Sequence, residues 1–349
     1  MPAILSILDY RPGGPCGWCT AGPEILIQNP ARATQSRRSG VLRVRIMTFW
    51  LDHPSYRPVR DRLINYLTST RYRFRRLAPV IFLCGGLQST GRATLRDYLE
   101  KHAPDLSLFY AEDVWNLIAA QSELSALEME EYLAQLADML IILVESAGTF
   151  TELGAFSVVE SLRHKLLPIL DISYQKDKSF IATGPVQWVD SDSKFQPAIY
   201  ADLERVLTAV GEIEERLQRI PRPKTTRVEN LAGNPKQLLF FICDLLAVIE
   251  PANREIIEYY VTRIVPGANV GQVSTLVGLG FAMGLIEQSE MSINGTTDVF
   301  YYRPTFDSLV KPFHHDRWLD LPTHRAEQAG ALLAIKDGRA ALDELKAHI

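Results

Sequence analysis

The sequence has few cysteines, no long apolar run and no excess of positive charge. Its four cysteines in 349 residues are too few for a disulfide scaffold, so we expect a reducing, cytoplasmic setting. No apolar stretch approaches the roughly 20 residues of a membrane-spanning helix. The amino terminus lacks the basic start and apolar core of a signal peptide. The formal net charge of −4 gives no overall attraction to nucleic acid or to a membrane.

Patterns that ligate metals are also missing. The seven histidines are scattered, the stretch "FHHDRW" is too compressed for a zinc site, and "CGWC" has no second cysteine pair. We therefore expect neither a metal nor a bound cofactor. The hydrophobic content of 47% and the charged content of 22% are those of a globular protein, and the length allows two domains.

The first 77 residues are rich in arginine. Residues 1–46 have no hydrophobic period, which predicts a disordered extension, and a start at Met47 would leave them out of the protein. Residues 47–77 are predicted to form a basic helical arm. Its densest part is "RYRFRR", where aromatic residues alternate with Arg71, Arg73, Arg75 and Arg76. Such a run binds phosphate backbones and stacks on bases, although a solvated arm explains it equally well.

Residues 78–220 alternate between buried strands and helices. The predicted strands are "PVIFLCGG", "LSLFYAED", "DMLIILVES" and "LLPILDI", with amphipathic segments between them. This order predicts a Rossmann-like, doubly wound parallel sheet with helices on both faces. Ligands bind such sheets beyond the carboxyl ends of the strands.

A second domain is predicted after a linker at 221–236. Residues 237–318 contain apolar-periodic helices and then Asn294-Gly295 between alternating residues, a strong hairpin signal. Helices followed by a hairpin predict a winged helix-turn-helix domain, and 319–349 predict a closing helical tail. The expected recognition helix, "GQVSTLVGLGFAMGLIE", has no Lys or Arg, which argues against sequence-specific duplex binding.

The stretch "ESAGTFTELGAF" follows the apolar run "MLIILV" and should begin a helix at the carboxyl edge of the sheet. We expect Gly148 in the turn, Thr149 as the N-cap and Glu152 in the first turn. There the helix dipole favours an ionised carboxylate by about 0.3–1 kcal/mol, which suits a nucleophile. A Thr149–Glu152 capping box is the structural alternative.

Other candidate site residues lie near the ends of the first two strands. Cys84, Gly85 and Gly86 would let a phosphate or ribose approach the backbone, and Ser89 would contact it. A tight turn with an ordinary cap explains these residues about equally well. Glu112 follows the second strand and is a candidate for ribose hydroxyls, or else a carboxylate at a helix start.

"FLCGG", Asp138 and "GTFTELGAF" together resemble the nucleoside 2-deoxyribosyltransferase family. The longer run "LEMEEYLAQLADMLIILVESAGTFTELGAFSVVESLRHKLLPILD" more closely resembles the effector proteins of bacterial retron anti-phage systems, as does "SFIATGPVQWVDSDSKF". The likeness covers roughly residues 47–320 and is most specific between 80 and 200.

This resemblance implies a catalytic role for Glu152 and a base-orienting role for Asp138. The transferases' second acidic residue falls near Ser146, where this chain departs from the pattern. The retron effectors imply cleavage of an N-glycosidic bond, with NAD as substrate rather than cofactor, by a toxin that the reverse transcriptase and its multicopy single-stranded DNA hold inactive. The transferase family builds composite sites in oligomers, so an oligomer or filament is also expected. A metabolic deoxyribosyltransferase or nucleotide hydrolase, and a catalytically dead regulator associated with nucleic acid, are the alternatives.

Overall fold

The computed structural model describes residues 50–69, 78–86, 88–110, 135–221, 230–304 and 321–348. The chain divides into two units, Met1–Arg45 and Ile46–Ile349, and every described residue belongs to the second. The predicted extension at 1–46 and the basic run at 71–76 lie outside the described residues. Among the helices that are described, none has the length and apolar character needed to cross a bilayer.

The centre of the protein is a five-stranded sheet in which every neighbouring pair of strands is parallel. The spatial order is β2-β1-β3-β4-β5, with the strands at Val80–Cys84 (β1), Ser107–Tyr110 (β2), Met139–Val144 (β3), Leu166–Asp171 (β4) and Ile199–Ala201 (β5). The predicted parallel sheet in a mixed α/β fold is confirmed. The three-residue β5 was not predicted, because it is too short to show a pattern.

Helices cover both faces of this sheet. Ile81 and Leu83 of β1 pack with the helices Thr90–His102 (α2) and Val210–Gln218 (α6) in one apolar cluster. Phe82, which points the other way, packs in a second cluster with the helix Ala147–Val158 (α3). Since successive side chains alternate between faces, two buried faces require the continuously apolar strands that the sequence shows.

The other helices of the first part of the chain are short or lie beside the sheet. Arg57–Leu67 (α1) precedes β1, and its Leu63 and Leu67 are buried in the second cluster. Between β3 and β5 lie Glu160–Arg163 (α4), the 3-10 segment Ile172–Lys176, the π-helical turn Ala182–Val186 and Gln187–Asp192 (α5). A second 3-10 segment, Leu203–Ala209, leads into α6. The region predicted as a basic arm therefore contributes α1 to the apolar core.

The carboxy-terminal part combines helices with a small antiparallel sheet. Its elements are Pro235–Ile249 (α7), Ala252–Asn253 (β6), Arg254–Ile264 (α8), Val270–Ala282 (α9), Glu287–Ile293 (β7), Thr296–Tyr302 (β8), Leu321–Leu333 (α10) and Lys336–His348 (α11). The strand order is β6-β8-β7, and the hairpin turns at Asn294 and Gly295, whose φ angles are 51° and 82°. Two positive φ angles are those of a type I′ turn, so the predicted hairpin is confirmed. The assignment to a winged helix fold stays a prediction.

One apolar cluster joins the sheet to the carboxy-terminal helices. It contains Phe82 and Ile142 from one face of the sheet, Phe240 from α7, Tyr260 from α8 and Leu276 from α9, all of them buried. Residues of both predicted domains, 78–220 and 237–318, therefore contribute to one apolar cluster, and the domain boundaries stay a prediction.

We predict that Gly91→Ala destabilises the protein. A Cβ atom at Gly91 in α2 would lie 2.3 Å from the carbonyl oxygen of Leu203, which as a backbone atom has little freedom to move. Overpacking of this kind costs about 1–3 kcal/mol of unfolding free energy, which a urea titration measures.

Gly211→Ala is the matched control, because nothing lies within 4 Å of a Cβ atom there. It lies in α6, where alanine favours the helix, so we expect a change between zero and about 1 kcal/mol of added stability. Equal stability of the two variants would contradict the close contact at Gly91.

Candidate active site

The backbone after β1 approaches the end of β3 closely. The Gly86 N–H donates to Oε1 of Glu145 at 2.9 Å, and Glu145 directly follows β3. A Cβ atom at Gly85 would lie 2.8 Å from Cδ of Arg92, so this position has no room for a side chain. Cys84 is buried in the apolar core. Only the backbone of this predicted "CGG" element therefore faces the carboxyl edge.

The first turn of α2 is capped by Ser89, whose Oγ accepts from the Arg92 N–H at 3.0 Å. Arg92 is buried and its guanidinium lies 4.2 Å from the ring centroid of Tyr110, the last residue of β2. The guanidinium of Arg96 lies 4.5 Å from the same ring. Two cations therefore stand at the β2 side of the carboxyl edge, and Ser89 serves as a cap.

Helix α3 begins directly after β3, but its cap differs from the prediction. Ser146, not Thr149, is the N-cap, and Ser146 and Thr149 form a capping box. The Thr149 hydroxyl accepts from the N–H groups of Glu145 and Ser146 at 3.0 and 2.9 Å and donates to the Ser146 carbonyl at 2.9 Å. A hydroxyl has one proton and two lone pairs, so this one is fully used. Thr149 therefore stabilises the start of α3, and its contact with a substrate stays a prediction.

Gly148 lies in the first turn of α3 and is exposed. The nearest heavy atom to a Cβ placed there is Oγ of Ser146, at 3.7 Å. The backbone of this turn is thus accessible, and contact between Gly148 and a ligand stays a prediction.

Glu152 occupies the second turn of α3 rather than the first, because the helix begins two residues earlier than Thr149. The residue is half-buried, and its Oε2 is buried from solvent. The helix dipole weakens beyond the first turn, so it contributes little to ionising this carboxylate. Local burial, not the dipole, distinguishes Glu152.

Asp138 lies at the opposite edge of the sheet. Its Oδ2 accepts from the N–H of Val80, the first residue of β1, at 2.8 Å, and pairs with the ammonium group of Lys236 in α7. Lys165 is close by and donates to the Ala137 carbonyl at 2.7 Å. The six residues of β3 span about 20 Å and separate Asp138 from Glu145. These contacts support a structural role for Asp138, and its contact with the base stays a prediction.

Burial shapes the charges at this amino edge. It lowers the pKa of Lys236 and the pKa of Lys165, and the charge of Asp138 opposes the shift in both lysines. Asp138 therefore acts as the counter-ion that holds α7 against the sheet.

A cavity of about 280 Å³ opens at the carboxyl edge beyond β3 and β4. It is lined by the carboxylates Glu145, Asp171 and Glu204, by the aromatic rings of Phe150 and Tyr174, and by Thr90, Val144 and Leu203. The two rings meet edge to face with their centroids 6.5 Å apart. Glu152 is not among the described lining residues, so the cavity and Glu152 are separate features of the same edge.

Asp171 is fixed at the end of β4. Its Oδ1 accepts from the Ser173 hydroxyl at 2.5 Å and from the Ser173 N–H at 2.9 Å. These bonds lower the pKa of Asp171 below its usual value, so the group is ionised at neutral pH. Sequence reasoning missed Asp171, although a carboxylate directly after a buried strand is a recognisable signal. It also missed Glu204 and Tyr174, for which no local signal exists.

Some predicted site residues lie outside the described residues, namely Glu112, Arg71, Arg73, Arg75 and Arg76. Within the described ranges, no three His, Cys, Asp or Glu side chains are grouped to hold a metal ion.

Comparisons with known proteins point to one group. Residues 88–288 match the family model described as "STM3845 retron effector protein". The chain is 42% identical over 132 residues to an Escherichia coli protein named "Retron Ec86 putative ribosyltransferase/DNA-binding protein", a match that covers 36% of this chain and 43% of that protein. It is 33% identical over 122 residues to the Escherichia coli "Retron Ec73 putative ribosyltransferase/DNA-binding protein", covering 33% and 39%. The matched stretch spans less than half the length of either relative.

We predict that Asp138→Asn lowers stability and leaves the carboxyl edge unchanged. It removes the counter-ion of partly buried ammonium groups, at a cost of about 1–3 kcal/mol after allowance for solvent exposure. Chemical denaturation measures this loss. Asp97→Asn, on the exposed face of α2, is the control and should change stability by less than about 0.5 kcal/mol.

The double variant Asp138→Asn/Lys236→Met should recover part of the loss, because the buried charge leaves with its partner. If Asp138→Asn left the stability unchanged but weakened the binding of NAD, the result would instead support a place for Asp138 in the substrate site.

Proposed function

Because the chain belongs to the STM3845 retron effector protein family, we propose that this anti-phage effector is an N-glycosidase that hydrolyses NAD and releases nicotinamide. The observation that carries the proposal is the position of Glu152. It is a half-buried carboxylate on the helix that leaves the central strand of a parallel sheet at its carboxyl edge. Ligands of such sheets bind at this edge.

The reaction needs few protein groups. Nicotinamide in NAD is a cationic pyridinium, and when its bond to the ribose C1′ breaks, both electrons neutralise the ring nitrogen. C1′ develops positive charge through an oxocarbenium-like transition state, which a carboxylate stabilises or attacks. Water then supplies the hydroxyl group at C1′ and releases a proton. Glu152 is the group that we assign to this role, and the open backbone at Gly148 gives a ligand access to the same helix.

The names of the relatives support transfer of a ribosyl group, since hydrolysis is the same transfer with water as acceptor. A deoxyribosyl transfer between bases is less well supported, because neutral purines leave only when an acid protonates them. The residue at the position of the transferases' second acid is Ser146, whose Oγ accepts from the Thr149 N–H at 3.3 Å in the cap of α3.

We also propose a family for each of the two folded regions. The strand order β2-β1-β3-β4-β5, with helices on both faces, supports a doubly wound, nucleoside deoxyribosyltransferase-like domain. Helices α7 to α9 and the β7–β8 hairpin support a winged helix. Helix α9 contains no Lys or Arg and is largely buried or half-buried, so duplex reading by it is not supported.

We assign the regulation to the retron's own components. The reverse transcriptase and its multicopy single-stranded DNA are the proposed partners, which hold the effector inactive, and assembly into an oligomer or filament is the proposed active form. The relatives' names include DNA binding, which agrees with a nucleoprotein partner. In this scheme NAD is the substrate and no cofactor is needed.

Glu152→Gln should abolish nicotinamide release. The change keeps the shape of the side chain and removes its charge, so we expect the rate to fall at least about 1,000-fold with stability changed by less than about 1 kcal/mol. The assay uses the full chain expressed with its retron, with NAD and nicotinamide quantified by chromatography before and after phage infection.

Glu160→Gln is the matched control, an exposed carboxylate at the start of α4. It should retain full activity. Nicotinamide release by Glu152→Gln at the parental rate would refute the site, and exchange of bases between deoxynucleosides would favour a metabolic transferase.

A further inference from the structure

The cavity beyond β3 and β4 has its own chemistry, distinct from that of Glu152. Two aromatic rings, Phe150 and Tyr174, form one wall, and Tyr174 is 45% exposed, so its ring is accessible. An aromatic wall of this kind stacks on a planar base. Pockets for complete drug-sized ligands run from about 300 to 1,000 Å³, so a cavity of about 280 Å³ accommodates one nucleoside rather than a whole dinucleotide.

The polar lining accepts hydrogen bonds and donates few. Glu145, Asp171 and Glu204 contribute three carboxylates, and none of the eight described lining residues is basic. Each carboxylate has about four acceptor sites. One oxygen of Glu145 is engaged by Gly86, and Asp171 is held by Ser173, so acceptor capacity remains in both. In dinucleotide-binding proteins an acidic side chain at the carboxyl edge of the sheet binds the hydroxyls of a ribose, and these three carboxylates lie at the same edge.

The same charges oppose a phosphate. The amino-terminal turns of α2 and α3 reach the lining at Thr90 and Phe150, and each helix end is equivalent to about half a positive charge. Together they amount to about one positive charge, against three carboxylates. The carboxylates dominate, so the cavity favours the hydroxyl form of a sugar over its phosphate ester.

The geometry points to this cavity as the subsite for the adenosine end of the dinucleotide, whose ribose carries a free 2′-hydroxyl in NAD, with Glu145, Asp171 and Glu204 selecting against a 2′-phosphate. The inference rests on the proposed function, because Glu152 would hold the ribose whose bond is broken. Since Glu152 lies outside the described lining, the cavity suits the other, adenosine end. The guanidinium groups of Arg92 and Arg96 lie over the ring of Tyr110 at the β2 side of the same edge, and neither arginine is among the described lining residues.

The first test measures binding without catalysis. Adenosine and adenosine 2′-phosphate are titrated into the full chain and followed by ligand-observed NMR. At low ionic strength we expect adenosine to bind at least about fivefold more tightly than adenosine 2′-phosphate, because repulsion between two charges near the surface changes an affinity by about this factor. Added salt should narrow the difference, because it screens exposed charges. Tyr174→Ala should weaken the binding of both ligands.

Glu204→Gln should reduce the preference for adenosine about fivefold and make it less sensitive to salt. The matched control is Glu212→Gln, an exposed carboxylate of α6 outside the lining, which should leave the preference unchanged. Equal binding of the two ligands by the parent protein, or an equal effect of both substitutions, would overturn the inference.

A second assay separates this inference from the proposed function. NAD and NADP are offered to the activated retron complex, and we expect kcat/KM to favour NAD in the parent and less so in Glu204→Gln. Cleavage of both dinucleotides with equal efficiency would refute the adenosine subsite and leave the proposed N-glycosidase activity supported. Tighter binding of adenosine than of its 2′-phosphate, without any NAD cleavage, would refute the proposed N-glycosidase activity and still support a nucleoside-binding site.

Discussion

The parallel pairing of β1, β3 and β4 is the constraint on which the rest of the structure depends. Leu83 is paired with Ile141 and Val144 with Leu170, so the three strands end at one edge. Both faces of these strands are buried, and a shift of one residue would exchange the side chains of the two apolar clusters. The register is therefore strongly specified. It brings the Gly86 backbone within hydrogen-bonding distance of Glu145, although 59 residues separate them in sequence.

Carboxylates at the two edges of the sheet differ in their surroundings. At the amino edge, Asp138 accepts from Val80 and pairs with Lys236, so it links two strands and α7. Burial disfavours the charged forms of Lys165 and Lys236, and the negative charge of Asp138 offsets that cost. At the carboxyl edge the carboxylates are partly exposed and keep acceptor sites for a ligand. Carboxylates thus hold the structure together at one edge, and at the other they keep the acceptor sites on which the proposed recognition of a ligand depends.

Sequence reasoning recovered what depends on local pattern. The four longer strands, the hairpin at Asn294 and the placement of Glu152 on the helix after β3 all follow from apolar runs and turn residues. The predicted N-cap of α3 was wrong because both Ser146 and Thr149 can begin a capping pattern. The choice between them depends on where β3 ends, which the sequence does not show to within one turn. Glu204 and Lys236 come from distant segments, and no local pattern predicts which strand end they meet. The site role of Asp138 came from the family resemblance alone, whereas its place directly before β3 puts it at the amino edge of the sheet.

The cap of α3 also bears on which leaving group the proposed reaction suits. Ser146 must be a small residue with an acceptor oxygen, because it holds the Thr149 N–H while Thr149 holds two N–H groups in return. An aspartate at this position would cap the helix equally well, so the fold does not require its absence. With serine here, the second acid that the transferases carry near this position is absent, although Glu145 lies next to it. A leaving group that departs as a neutral molecule needs no such acid, whereas a purine does. This is why we propose Glu152 for cleavage next to a cationic ring rather than for release of a neutral purine.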